Sequence, residues 1–303
     1  MGRERESELN LGARNTTHPL PLKRRIRKNP WERREYVSLW LQERDKRILA
    51  SLHEYGALTT EQISHLFFNG SISRATKRLR QLYDARFLQR AFRIKGRGAP
   101  EAIHFLERRL EVMEIVSEVL GKEVKEVRRF WFSQKQLTEH FLEINAFRVQ
   151  VELSCREQGV DIEIWLDERK CIDQYRLEGK RKVITFSPDA YFRLLKEGVI
   201  WAYFLEWDRG TEELRRIREK GERYKEYWES GLYWERYGLK RFRVIWVVPG
   251  EERLRKISEA LSPIHGAPPF WLAVREEVEK AGRNVLIEPV WKTLDGNKRA
   301  LLS

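Results

Sequence analysis

Three carboxylates stand where a buried hairpin has little use for them. In the stretch FSPDAYFRLLKEGVIWAYFLEWDRGT, residues 186–211, Asp189 opens one apolar run, and Glu206 and Asp208 close the next. Strand side chains alternate between faces, so Glu206 and Asp208 share a face with Ile200, Ala202 and Phe204. An apolar face that ends in acids is costly unless each acid is paired with a cation, hydrogen-bonded or bound to a metal ion. Asp189, on the neighbouring strand, is placed to converge with them. Each acid also has a purely structural use. Asp189 ends a strand after Pro188, Glu206 pairs with Arg209 or Arg216, and Asp208 holds the Asp-Arg-Gly-Thr turn before the next helix.

The elements that must position these acids are legible around them. Residues 186–211 read as two strands about a Lys-Glu-Gly turn. Before them, 134–152 forms an amphipathic helix carrying Leu137, Phe141, Ile144, Phe147 and Val151, with His140 beside that stripe and Glu143 as a further acid on it. Residues 162–166 alternate as a strand, and a strand from 182–186 is expected to run into the hairpin. A helix follows from Thr211 to about Trp228, then an apolar strand over 242–248, a helix over 254–261, and strands over 270–274 and 285–291. His140 reads as a satisfied histidine at the core edge.

The chain before this region has a different character. Ile48, Leu49 and Leu52 recur at helical spacing up to Gly56, and Thr59 with Gln62 forms a capping box for a short helix bearing Ile63, Leu66 and Phe67. After the Asn69-Gly70-Ser71 break, a third helix over 73–85 turns Ala75, Leu79, Leu82 and Tyr83 inward. It leaves Arg74, Lys77, Arg78 and Gln81 outside. Two strands over 88–94 and 101–106 flank the tip KGRGAP with Lys95 and Arg97. Three helices and a basic hairpin describe a winged helix-turn-helix, whose third helix enters the major groove of double-stranded DNA while the wing touches phosphate.

Charge supports that division. The 303-residue chain carries a net +13, of which +5 lies in residues 1–40, +6 in 41–106 and only +2 in the remainder. A basic third fits a polyanion, and the run KRRIRK among Pro19, Pro21 and Pro30 reads as a flexible arm adding phosphate contacts. Glu, Lys and Arg are abundant throughout, so a charge-rich surface is the plainer account of the same numbers. No apolar run approaches the roughly 20 residues of a membrane span, and the N-terminus has no apolar signal region. A cytoplasmic protein with no membrane partner is expected. Cys155 and Cys171 lack metal-site spacing and read as buried thiols.

The expected organisation is therefore a basic flexible arm over 1–40, a winged helix DNA-binding domain over 41–106, a connecting helix and linker over 107–133, and a second domain over 134–303. The fold class is α+β.

Ser187-Pro188-Asp189, followed by Glu206-Trp207-Asp208, resembles the PD-(D/E)xK core of restriction endonucleases and resolvases. The resemblance implies a restriction-endonuclease-like mixed sheet flanked by helices, in which Asp189 and Glu206 hold Mg²⁺ or Mn²⁺ and Asp208 is a further candidate ligand. This chain departs from the motif at its lysine, because Asp208 occupies that place. Lys220, which shares a helix face with Tyr224, is the candidate replacement, although a position about three turns into its helix leaves its reach back to Glu206 open. The order RDKRILASLHEYGALTTEQISHLFF, RLRQLYDARFL, HFLEINAFRV, PDAYF and FLEWDRGTEEL with Lys220 and Tyr224 is similar to the replication-relaxation family of plasmid and mobile-element proteins. MobC-class relaxases are similar in joining a winged helix to a nuclease-like domain.

Two functions follow as expectations. One is a metal-dependent DNA endonuclease, a nickase or relaxase in plasmid or mobile-element replication or mobilisation, with Asp189, Glu206 and Lys220 as its catalytic set. The other is a catalytically inactive DNA-binding replication initiator or transcriptional regulator that uses its second domain for homodimerisation or to bind replication or mobilisation proteins. An adaptor whose winged helix binds protein is a third.

Overall fold

A computed structural model describes residues 32–33, 39–94, 100–176, 183–266 and 268–303. The chain divides into two compact units, Met1–Leu137 and Thr138–Ser303.

In the first unit, α1 (Glu43–Tyr55), β1 (Ala57–Thr59), α2 (Thr60–Phe67) and α3 (Ile72–Asp84) precede β2 (Leu88–Arg93) and β3 (Glu101–Leu106), with α4 (Leu110–Leu120) and α5 (Val124–Arg129) after them. The expected capping box is present: the Thr59 hydroxyl accepts from the Gln62 amide at 3.2 Å, and Gln62 Oε1 accepts from the Thr59 amide at 2.8 Å. Ile48, Leu49 and Leu52 of α1, Ile63 of α2, and Leu79 and Leu82 of α3 are completely buried. The three strands form an antiparallel sheet in the order β1-β3-β2. Strand β1 is not expected from the sequence, since three residues are too few to show alternation; only its pairing of Ala57, Leu58 and Thr59 with β3 defines it. The end of the supposed flexible arm is anchored here. Arg33 donates to the carbonyls of Tyr83 and Leu88 and to Glu107.

The second unit is built on a seven-stranded mixed sheet. Its elements are α6 (Glu139–Gln158), β4 (Asp161–Asp167), α7 (Glu168–Cys171), β5 (Asp173–Tyr175), β6 (Ile184–Phe186), β7 (Ala190–Lys196), β8 (Val199–Trp207), α8 (Leu214–Glu229), α9 (Leu232–Tyr237), β9 (Arg243–Val248), α10 (Glu251–Leu261), β10 (Phe270–Val274), α11 (Arg275–Ala281), β11 (Trp291–Thr293) and β12 (Lys298–Arg299). The order across the sheet is β12-β11-β10-β9-β8-β7-β4, with β8, β9 and β10 parallel and the other neighbours antiparallel. Ile217, Tyr224 and Tyr227 of α8, Tyr233 of α9, and Leu254 and Ile257 of α10 cover one face with Phe204 and Trp246. Phe147 and Val151 of α6 and Val278 of α11 cover the other with Phe192, Tyr203 and Ile245.

The β7–β8 hairpin closes through Glu197 and Gly198, at φ 49° and 79°, the two positive φ angles that match a tight turn to the twist of the strands. Two sequence expectations are corrected. Ile184–Phe186 does not run into the hairpin; it pairs with β5 in a separate two-stranded sheet. The strand expected over 285–291 begins only at Trp291, where β11 meets β10. An apolar run alone does not distinguish a strand from a buried turn.

No helix among the described residues is long and apolar enough to cross a membrane. Burial also creates a pH liability in the first unit. His104 on β3 is 3% exposed, with Nε2 2.9 Å from the Thr60 hydroxyl. Burial, assisted by the nearby Arg90 charge, pushes its pKa down from 6.5 to about 3. Below pH 6.5 the unfolded chain takes up a proton that the folded chain refuses, so the stability this neutral histidine contributes is lost as pH falls from 6.5 towards 3. Urea midpoints measured from pH 7 to pH 4 are expected to fall for the wild type and to fall less for His104→Gln.

Candidate functional site

The hairpin register makes Asp189 and Glu206 neighbours. Ala190 pairs with Leu205, and the Asp189 amide donates to the Leu205 carbonyl at 3.1 Å, so one further step sets Asp189 opposite Glu206. Asp189 is fixed by the next residue of the neighbouring strand, since the Trp207 amide donates to its Oδ2 at 2.6 Å. Glu206 is 2% exposed, on the face that also carries Ala202 and Phe204.

Lys220, the candidate replacement for the missing lysine, reaches Glu206. The helix begins at Leu214 rather than Thr211, and α8 folds back along the sheet. Gly221 lets α8 also pack closely on the end of α10: a Cβ there would lie 2.5 Å from Ile264 Cδ1 and 2.6 Å from Leu261 Cδ2. Lys220 Nζ donates to Glu206 Oε2 at 2.9 Å and pairs with Glu212 at 3.1 Å. One turn on, the Tyr224 hydroxyl donates to Glu206 Oε1 at 2.6 Å. The Lys220 side chain is 28% exposed and Asp189 15%, so the pair of acids lies within reach of solvent from that side.

The electrostatics are dominated by burial. Burial pushes the Glu206 pKa up from 4.5 to about 7; Lys220 pulls it back, and the Asp189 charge raises it again. Burial also acts to lower the Lys220 pKa, but Glu206 and Asp189 outweigh it and hold the ammonium above its ordinary range. Tyr224 is pushed well above its usual value, by burial first and by Glu206 second, and stays a neutral donor.

Asp208 does not join them. Its carboxylate is taken by Arg253 of α10, which donates from Nε at 2.7 Å to Oδ2 and from the terminal nitrogen at 3.1 Å to Oδ1. The shared strand parity expected of Asp208 holds, and a guanidinium forty-five residues away, which no local pattern announces, pairs with the acid in the position where a metal ion was expected. Among the described residues no group of three or more His, Cys, Asp or Glu is placed to hold a metal ion. Glu206 takes Lys220 as its cation in place of the expected Arg209 or Arg216. Arg209 instead lies 3.4 Å from Glu143 on α6. Glu143 also accepts from Arg275 at 2.9 Å and from Trp207 Nε1 at 3.0 Å, so it is a structural acid. His140 does more than complete the core edge. Its Nε2 lies 3.0 Å from the Trp207 carbonyl and 3.3 Å from Asp189 Oδ2. Hydrogen bonding to Asp189 is the main cause that raises its pKa.

On the first unit, the residues expected on the outer side of α3 split into two groups. Arg74 and Lys77 are exposed. Arg78 and Gln81 are used inside the unit. Arg78 donates to both oxygens of the fully buried Asp45 and to the Trp40 carbonyl, while Gln81 Oε1 accepts from it at 3.0 Å. Asp45 also caps α1 by accepting from the Gln42 amide at 2.7 Å. Arg78 and Gln81, expected as DNA contacts, thus have partners inside the unit, because an outward helical position says nothing of an acid on another helix. Lys95 and Arg97 lie outside the described residues.

The family model described as replication-relaxation matches residues 49–241, more than half of the chain. The chain belongs to the replication-relaxation family. The matched segment of this replication-relaxation protein includes Asp189, Glu206 and Lys220 but ends before Arg253 and Arg275. No curated protein matches the sequence. Among solved structures it is similar to one described as the structure of restriction endonuclease FokI, at 14% identity and a TM-score of 0.26, covering 78% of this chain and 44% of that one. The chain thus spans less than half the length of that structure.

The split on α3 is open to measurement. Arg78→Ala leaves Asp45 buried without its cation and is expected to cost about 3 kcal/mol of stability, read as a lowered urea midpoint. Lys77→Ala is expected to stay within about 0.5 kcal/mol of the wild type, as surface substitutions do.

Proposed function

We propose that this protein binds double-stranded DNA through its first unit and cuts or nicks it with a metal-dependent, nuclease-like site in its second, in plasmid or mobile-element replication or mobilisation. The observation that carries the reading is Lys220 Nζ at 2.9 Å from Glu206, beside Asp189. The lysine missing from its expected place in the sequence is supplied by α8, so two acids and an ammonium meet at the end of a strand pair.

The donor set fits a hard divalent cation. Asp189 and Glu206 offer oxygen only, and Mg²⁺ is commonly held by one or two carboxylates, with water and phosphate completing its shell. The upward shift of Glu206 to about 7 marks a place where added positive charge would be stabilising. A bound Mg²⁺ or Mn²⁺ would supply Lewis-acid stabilisation of a phosphate and a more acidic water. Tyr224 and Lys220 hold the Glu206 carboxylate in one orientation, and Lys220 adds a positive charge beside the phosphate undergoing attack. His140 and the Trp207 amide fix Asp189.

The domain roles complete the proposal. Three helices with the β1-β3-β2 sheet support a winged helix reading of the first unit, with Arg74 and Lys77 on the exposed side of α3, and with Lys95 and Arg97, which the sequence puts between β2 and β3, as phosphate or base contacts. The family description supports a role in replication. A second reading is favoured by a different observation. Both Glu206 oxygens have protein donors and Asp208 has Arg253, a network that closes without metal. It fits an inactive DNA-binding initiator or regulator.

Conversion of supercoiled plasmid bearing candidate origin DNA in Mg²⁺ or Mn²⁺ separates the two. Nicking or relaxation is expected for the wild type and is expected to vanish in Asp189→Ala/Glu206→Ala. Lys220→Ala is expected to lose about 10²-fold or more, as for removal of one electrostatic stabiliser. Tight DNA binding by wild type and double variant alike, with the plasmid intact in both, would establish the inactive reading instead.

A further inference from the structure

The carboxyl ends of the parallel strands carry a set of cations that the Asp189–Glu206 pair does not use. Arg209 follows β8 by two residues, and Arg275 follows β10 directly. Both reach the same acid, Glu143 of α6: Arg275 at 2.9 Å and Arg209 at 3.4 Å, longer than an ordinary charged hydrogen bond. Trp207 Nε1 donates to that carboxylate as well, at 3.0 Å. Two guanidinium groups and an indole N–H thus converge on one carboxylate, which leaves one positive charge in excess. The Arg275 guanidinium lies 5.4 Å from the Trp207 ring centroid, and its Nε is buried with no hydrogen-bond partner. Arg209 is the freer of the two, with its side chain 45% exposed against 23% for Arg275.

This cluster is tied to the acids through one residue. Trp207 gives its amide to Asp189, its indole N–H to Glu143 and its carbonyl to His140, and it directly follows Glu206. Outside the carboxyl ends of parallel strands is where open α/β sheets take their ligands. A surplus guanidinium at that edge suits an anionic oxygen, and a planar fork suits phosphate in particular.

We propose that Arg209, steadied with Arg275 around Glu143, is a phosphate-binding residue that seats the nucleic-acid backbone next to Asp189 and Glu206. This inference rests on the nuclease-like reading of the second unit. It gives that unit a contact with DNA of its own, apart from those of α3. Arg209 binds and positions the strand; it has no part in the proton or bond changes.

Salt dependence of binding tests it on the full chain. Removing one cation that neutralises a phosphate lowers the slope of log affinity against log salt by about 1. Fluorescence anisotropy with a duplex of about 30 base pairs in EDTA, where no metal-dependent cleavage proceeds, compares wild type, Arg209→Gln, Arg209→Lys and Arg283→Gln. Arg283 is a charge-matched control, 51% exposed and paired with Glu157, fourteen residues along α6 from Glu143 and so about 21 Å away. The expected result is a slope reduced by about 1 in Arg209→Gln, restored in Arg209→Lys and unchanged in Arg283→Gln. In Mg²⁺, Arg209→Gln is then expected to raise KM with kcat nearly unchanged. A slope in Arg209→Gln equal to that of Arg283→Gln overturns the inference, and a lowered urea midpoint beside it would make Arg209 only the counter-ion of Glu143. Because binding is read without metal, the two proposals fail separately. Plasmid nicking with an unchanged slope removes the phosphate site alone. A changed slope with no nicking removes the nuclease alone and leaves a phosphate-binding edge.

Discussion

Uncompensated negative charge at the end of the β7–β8 pair is the constraint around which the second unit is arranged. A carboxylate that is 2% exposed cannot be left ionised without donors, and Glu206 has two, the Lys220 ammonium and the Tyr224 hydroxyl. Both come from successive turns of α8, so that helix must lie close to the sheet. Gly221 clears the space against Leu261 and Ile264. The packing of a helix and the charge state of an acid are here one requirement.

The same logic repeats around the neighbouring acids with different partners. Asp208 is neutralised by Arg253 from the first turn of α10, Glu143 by Arg275 and Arg209, and Asp189 by a backbone amide and His140. What differs is how completely each acid is answered. Asp208 has a two-pronged guanidinium and is closed. Glu206 has the Lys220 ammonium, which it shares with Glu212, yet its burial, with the Asp189 charge beside it, raises its pKa to about 7.

The first unit shows how a structural demand takes up a residue that its helical position would leave on the surface. Arg78 lies on the basic side of α3 in any helical projection, yet it joins α3 to α1 through Asp45. An arginine there holds the helix in place so that Arg74 and Lys77 can be displayed. Net charge counts Arg78 equally with those two, although its charge is already cancelled.

Sequence alone determined much of this protein. Apolar periodicity and caps located α1 to α3, the β2–β3 and β7–β8 hairpins and the main helices, because these depend on residues close together in the chain. It also singled out Asp189 and Glu206, since acids ending apolar strands contradict their surroundings. The tertiary structure decided the partners. Arg78 with Asp45, Arg253 with Asp208, Arg275 with Glu143 and His140 with Asp189 join residues thirty-three to one hundred and thirty-two positions apart, and no local spacing encodes such distances. It decided the reach of Lys220 too, because where α8 starts and how it lies on the sheet depend on what packs against it. Which acids the chain contains is a property of sequence; which of them keep a charge to spare depends on where distant cations come to rest.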